Sequence, residues 1–136
     1  MQRSLMKSKV HRGIITQANL HYVGSLTLDR DLMDMADLMP NEKIQVVDVT
    51  NGERFETYVI EGERGSGVLC LNGAAARKVQ VGDTVIVISY GTYDEQEARH
   101  HVPTVVLCDE DNRGTVLYAH EPASTTPEEL LLTAAR

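Results

Sequence analysis

Asn51-Gly52 lies between two short runs of mixed apolar and polar residues, 43–49 and 54–60. That dipeptide is a strong hairpin signal, because both residues tolerate the left-handed backbone of a tight reversal. The same grammar runs along the chain. Further strands are expected at 10–16, 20–28, 68–71, 84–89 and 102–108, with turns at 62–67 and at Gly82-Asp83. Run 84–89 is almost wholly apolar, as in a strand covered on both faces. Helical signal is scarce. Asp29 can cap a helix over 30–39, where Leu32, Met35, Ala36 and Met39 share one face and Pro40-Asn41 stops it. One or two helical turns fit 94–99. Six or seven short strands with two short helices give a mainly β fold, a barrel or a sandwich. The apolar signal weakens from Asp109, and 122–136 reads as a loosely attached tail with one helical turn.

With 136 residues, one domain with a real core is expected. A net charge of -7 argues against nucleic acid, whose phosphates need a basic surface. An anionic substrate would have to be met by a few local Lys or Arg side chains. Cys70 and Cys108 both sit in apolar runs; two cysteines make no disulfide framework and suit buried thiols in a reducing cytoplasm. Met1-Gln2-Arg3-Ser4-Leu5 lacks the apolar stretch of a signal peptide, and no run approaches the roughly 18 apolar residues of a membrane span. A cytoplasmic protein without membrane partners is therefore expected. No metal is expected either. His100 and His101 are adjacent, so on a strand they point to opposite faces, and no Cys or carboxylate completes a ligand set. His11 and His21 read as surface or hydrogen-bonded structural histidines unless a site claims them.

Gly24-Ser25, in the middle of run 20–28, reads first as a turn or bulge. It also carries chemistry. Gly24 has no Cβ, so a group can approach its carbonyl closely, and the Ser25 hydroxyl can attack that carbonyl if the fold strains and polarises the peptide. No Gly-x-Ser-x-Gly elbow surrounds Ser25, and Gly65-Ser66-Gly67 is too short to be a phosphate loop.

Four stretches taken together are more specific: Lys9-Val10-His11-Arg12; Leu20-His21-Tyr22-Val23-Gly24-Ser25; Thr50-Asn51-Gly52-Glu53-Arg54-Phe55-Glu56-Thr57-Tyr58; and Gly62-Glu63-Arg64-Gly65-Ser66 continuing to Leu71-Asn72-Gly73-Ala74-Ala75-Ala76. In that order and spacing the chain closely resembles the pyruvoyl-dependent aspartate 1-decarboxylases, over about residues 3–90. The resemblance implies a small double-psi β-barrel with two or three short helices, occupying 1–115, with 116–136 as the tail. It implies a homotetramer with active sites between subunits, and self-cleavage between Gly24 and Ser25 into a β chain, 1–24, and an α chain, 25–136.

In the implied chemistry, Ser25 Oγ attacks the Gly24 carbonyl and the peptide becomes an ester. Loss of the Ser25 Cα proton expels Gly24 as a carboxylate, and hydrolysis of the dehydroalanine leaves a covalent pyruvoyl cofactor at residue 25. L-Aspartate then forms a Schiff base with that group, carbon dioxide leaves, and β-alanine is released, feeding pantothenate and coenzyme A biosynthesis. Thr57 is the family residue at the cleavage site, where its hydroxyl can donate to the oxyanion. Tyr58 matches the proton donor; phenols hold their proton near neutral pH. Arg54, two strand periods from Tyr58, shares its face, and its planar fork suits a substrate carboxylate. Lys9 is placed to hold the substrate or the new Gly24 carboxylate. Gly73, Ala74 and Ala75 match the substrate-binding loop, while His11, Tyr22 and Asn72 are pocket or structural residues. Two rival classes are an N-terminal-nucleophile hydrolase, whose cleaved fragment keeps the serine amine, and a non-catalytic β module, which stays one chain.

Overall fold

The computed structural model describes residues 1–118 and 120–134. Nine strands occur among them: β1 (Arg3–Ile14), β2 (Gln17–Asn19), β3 (Ser25–Asp29), β4 (Lys43–Asp48), β5 (Arg54–Gly62), β6 (Leu69–Asn72), β7 (Thr84–Tyr93), β8 (Thr104–Cys108) and β9 (Gly114–Tyr118). Helices α1 (Arg30–Met35), α2 (Glu95–His100) and α3 (Pro127–Ala134) and a 3-10 helix, Gly73–Lys78, complete the chain. The expected mainly β class with short helices is what forms.

The strands join in one sheet, in the order β2-β6-β3-β5-β4-β7-β1-β8-β9. Neighbours β2/β6, β3/β5 and β1/β8 run parallel, and the remaining pairs antiparallel. Period-2 alternation sends Leu26 and Leu28 of β3, Ile44 and Val46 of β4, Leu69 and Leu71 of β6, and Val85 and Val87 of β7 into one buried cluster. Val10 of β1 and Val106 of β8 reach the same cluster. A flat sheet could not bring β6 and β8 to a common core, so the sheet curls. Thr16 ties the curl: its N–H donates to the Leu69 carbonyl at 2.9 Å, and its Oγ1 accepts from the Leu69 N–H at 3.0 Å. The result is a barrel. Each fully buried Leu, Ile or Val contributes about 1.5–3 kcal/mol, whereas an exposed ion pair such as Arg3–Glu95 contributes about 0–1 kcal/mol, so the interior dominates stability.

The Asn51-Gly52 hairpin is present, with Val47 opposite Arg54. Its loop runs over 49–53: the Asp48 carboxylate accepts from the N–H groups of Thr50 and Asn51, and Gly52 takes φ +80°. Asp29 performs a second local task. Its carboxylate accepts from the N–H groups of Asp31, Gly65 and Gly67, so one side chain caps α1 and pins the 62–67 turn beside β3. Burial pushes this carboxyl up, but the donors from Gly67, Asp31 and Gly65, with Arg113 nearby, outweigh it and hold it below the usual carboxylate range.

Four sequence expectations are corrected. Strand β1 starts at Arg3 rather than at residue 10, because Lys7 pairs with Glu42 (2.8 Å) and the Ser8 and Ser89 hydroxyls meet at 2.7 Å, so its polar residues have partners inside the sheet. Run 20–28 is not one strand. Its first part, 20–24, is an irregular segment that follows β2, with Tyr22 and Val23 exposed, and β3 begins only at Ser25. Helix α1 ends at Met35 because Asp37 turns left-handed at φ +54°, which leaves Met39 exposed. Strand β9 crosses the 115/116 boundary, and Leu130 of α3 packs with Val105 and Leu107 of β8.

Candidate functional site

The site is built on the antiparallel pair β3/β6, where Ser25 lies opposite Asn72 and Thr27 opposite Cys70. Leucines 26, 28, 69 and 71 take the core face. Alternation leaves Ser25, Thr27, Cys70 and Asn72 on the other face, so a small polar cluster is an obligatory by-product of the core pattern. Asn72 Nδ2 donates to Ser25 Oγ at 3.3 Å and to Thr27 Oγ1 at 2.9 Å, while Asn72 Oδ1 accepts from the Cys70 thiol at 3.0 Å. Ser25 and Asn72 are both 2% exposed.

Ser25 has φ +103°, a conformation that costs a non-glycine residue about 1–3 kcal/mol. This relocates the strain anticipated at Gly24. Gly24 is not among the glycines with positive φ, and a Cβ on it would meet nothing within 4 Å. The glycine that the geometry requires is Gly73. It has φ +63°, and a Cβ there would lie 3.0 Å from Gly24 Cα and 3.3 Å from both Gly24 N and the Tyr22 carbonyl oxygen. Backbone therefore packs directly on the backbone that precedes Ser25.

Beside this junction is a cavity of about 290 Å³. It collects Gly24, Ser25, Thr57, Tyr58, Asn72, Ala74 and Ala75, seven of the residues singled out in the sequence. Phe55, Glu56 and Lys78 also line it and were not anticipated. Lys78 was findable: three residues after Ala75, it falls on the same face of a 3-10 turn. Its Nζ pairs with Glu53 at 3.3 Å, and Glu56 pairs with Lys43 at 3.0 Å. On β5, Arg54, Glu56 and Tyr58 alternate as exposed residues, so Arg54 and Tyr58 do share a face, but only Tyr58 reaches the cavity wall.

The other candidates lie elsewhere. Lys9 and His11 are on β1, four places from β3 in the sheet order. Lys9 is buried, and its Nζ is 2.6 Å from Glu121 Oε1. His11 lines a different cavity with Arg12, Cys108 and Arg113, and its Nδ1 is buried without a partner. Burial first, then the neighbouring Lys9 charge, lower the His11 pKa to about 4, so this imidazole is neutral near pH 7. Tyr22 is exposed, with Gln17 Nε2 donating to its Oη at 3.5 Å.

This arrangement can move an acyl group. A hydroxyl is held beside its own N-terminal peptide bond, the backbone at that bond is strained, and a cavity adjoins it. The residues also suit a carbonyl group made from Ser25 itself: the cavity next to residue 25 holds a phenol, an ammonium and the small side chains of Ala74 and Ala75, which leave room for a ligand.

A sequence profile of the family described as Aspartate decarboxylase matches residues 1–115. The Aspartate 1-decarboxylase of Heliobacterium modesticaldum is 66% identical over 113 residues, covering 83% of this chain and 86% of that protein. The Aspartate 1-decarboxylase of Shouchella clausii is 58% identical over 125 residues, covering 92% of this chain and 98% of its own length. Among solved structures, the rationally designed mkDPBB_sym_86 protein superposes with a TM-score of 0.43 at 20% identity, covering 57% of this chain and 90% of that one.

Proposed function

Because the chain belongs to the aspartate decarboxylase family, we propose that it cuts itself between Gly24 and Ser25 and then decarboxylates L-aspartate to β-alanine and carbon dioxide. The observation that carries this reading is Ser25 itself: a buried serine at φ +103°, its Oγ held by Asn72, at the edge of a cavity containing Thr57 and Tyr58.

In the first stage Ser25 Oγ attacks the Gly24 carbonyl carbon, the C–N bond to Ser25 breaks, and the freed amine takes the proton. The strained φ lowers this barrier, because the cost is already present in the intact chain and is relieved when the peptide becomes an ester. Thr57 is the residue on the cavity wall with a hydroxyl to offer the oxyanion. Elimination then frees Gly24 as a carboxylate, and hydrolysis of the remaining dehydroalanine releases ammonia and leaves a pyruvoyl group at residue 25.

That group supplies a carbonyl able to bind the substrate's amine and to draw off the electron pair of the breaking bond. The chain supplies the remainder. Lys78 brings positive charge to the cavity wall for a carboxylate, and Tyr58 provides an O–H for reprotonation. Ala74 and Ala75 leave the substrate room. Arg54 and Lys9 do not line this cavity in the single chain. We place them at the site through neighbouring copies in a homotetramer, where Lys9 of one subunit would approach Ser25 of the next. A carboxylate would then displace Glu121 from Lys9; the existing pair at 2.6 Å supports a carboxylate partner for this side chain. The product β-alanine would enter pantothenate and coenzyme A synthesis in the cytoplasm.

The test is incubation of the purified chain with L-aspartate, following carbon dioxide and β-alanine. The wild-type chain should release both in equal amounts and Ser25→Ala neither. Release of carbon dioxide by Ser25→Ala would overturn the proposal.

A further inference from the structure

We propose that Cys70 is a positioning residue for the self-cleavage: its thiol fixes the orientation of the Asn72 amide, and thereby directs the amide N–H groups onto the hydroxyls of Ser25 and Thr27. The inference rests on the self-cleavage reading given above.

A side-chain amide has two orientations of nearly equal shape, and its partners decide between them. Two of the three partners of Asn72 are indifferent, because the Ser25 and Thr27 hydroxyls can each donate or accept. The third is not. A thiol donates to a carbonyl oxygen but is a weak acceptor for N–H, so Cys70 Sγ at 3.0 Å favours Oδ1 on its side and sends Nδ2 to the other. Cys70 is 3% exposed, and burial raises its pKa, so it stays an S–H donor at neutral pH. Strand alternation fixes the spacing: Cys70 and Asn72 are two apart on β6, facing Thr27 and Ser25 on β3.

The orientation matters for two steps. With Nδ2 donating to Oγ, the Ser25 hydroxyl hydrogen remains free to leave as Oγ attacks. With the amide reversed, Oδ1 would accept that hydrogen and hold it. In the later elimination the Ser25 Cα proton passes to water and its electron pair forms the Cα–Cβ double bond. The Cβ–Oγ bond then breaks, with its pair remaining on Oγ, now an oxygen of the Gly24 carboxylate. A donor on Oγ stabilises that departing charge.

The test compares Cys70→Ser, Cys70→Ala and Cys70→Val, expressed as uncut precursors, by the rate at which intact mass converts to the 1–24 and 25–136 fragments. Thermal unfolding midpoints are measured alongside. Ser keeps a donor, whereas Ala and Val remove it, and Val keeps the apolar volume. Positioning predicts that Ser cleaves within about twofold of wild type and that Ala and Val are each slower by about fivefold or more, whatever the order of their midpoints. A packing role predicts the reverse ranking, with Val close to wild type and the buried hydroxyl of Ser the most harmful. Should Val fail to fold, Ala against Ser makes the same comparison. Val or Ala at the wild-type rate, or Ser as slow as Ala, would overturn the proposal while leaving the self-cleavage reading intact. A wild-type chain that never cleaves would remove both.

Discussion

Replacing Gly73 by alanine separates backbone strain from contact with the bond to be cut. An alanine held at φ +63° carries a left-handed penalty of about 1–2 kcal/mol. Its Cβ would also sit 3.0 Å from Gly24 Cα, about 0.5 Å inside the ~3.5–4.0 Å optimum for two carbons. Because the neighbour is backbone, no rotamer change relieves the contact, and segment 20–24 has to move. The natural control is Gly52→Ala. Gly52 has φ +80°, but a Cβ there meets nothing within 4 Å, so it bears the same conformational cost with no contact. Gly52→Ala should lose about 1–2 kcal/mol in urea unfolding, and Gly73→Ala at least as much. Only Gly73→Ala should slow self-cleavage, by about tenfold or more, since displacements well under 1 Å are costly at a reacting centre. The assay is a time course of fragment formation on a denaturing gel. Equal cleavage rates for the two variants would refute the claim that Gly73 sets the position of the Gly24–Ser25 junction.

Three further outcomes are expected. Tyr58→Phe should cleave normally yet lose about 10²-fold or more in kcat with KM for aspartate little changed; slow cleavage with normal turnover would contradict its assignment as proton donor. The unfolding free energy should fall as pH drops from about 6.5 to about 4, because the unfolded His11 takes up a proton that the folded imidazole refuses; His11→Gln should flatten this window, measured by urea titration at several pH values. Asp29→Ala strips the acceptor from three backbone N–H groups and should destabilise the chain by about 3 kcal/mol, read from the urea midpoint; a loss below about 1 kcal/mol would show that the 62–67 turn holds itself.

Much of the fold was legible because core positions on short strands announce themselves by alternation. Runs 43–49 and 54–60 appear as β4 and β5 to within two residues, and the apolar run 84–89 became the first part of β7, paired on both sides by β4 and β1. Where alternation is interrupted by polar residues with distant partners, the signal vanished. Lys7 and Ser8 look like loop residues until Glu42 and Ser89 are in place. Strand β9 escaped because none of its residues is fully buried and Thr115 and Tyr118 are exposed, so no apolar contrast marks it. Closure of the sheet through Thr16 and Leu69, 53 residues apart, has no local trace at all.

At the site, the residue types were legible and their geometry was not. Gly24-Ser25, Thr57-Tyr58 and the Asn72 loop could be chosen from the sequence, and they meet at one cavity. The strain could only be assigned to the glycine, since glycine is the residue that tolerates it. The structure puts the positive φ on Ser25 and the crowding on Gly73, because the β3/β6 ladder, not the local dipeptide, dictates the backbone there.

The most direct measurement is the intact mass of the purified, fully incubated wild-type protein. Two species are expected: residues 1–24 ending in a free carboxylate, and residues 25–136 lighter than the serine-started fragment by the elements of ammonia. A single uncut chain, or a long fragment that retains its N-terminal amine, would contradict the conversion of Ser25 into the catalytic group.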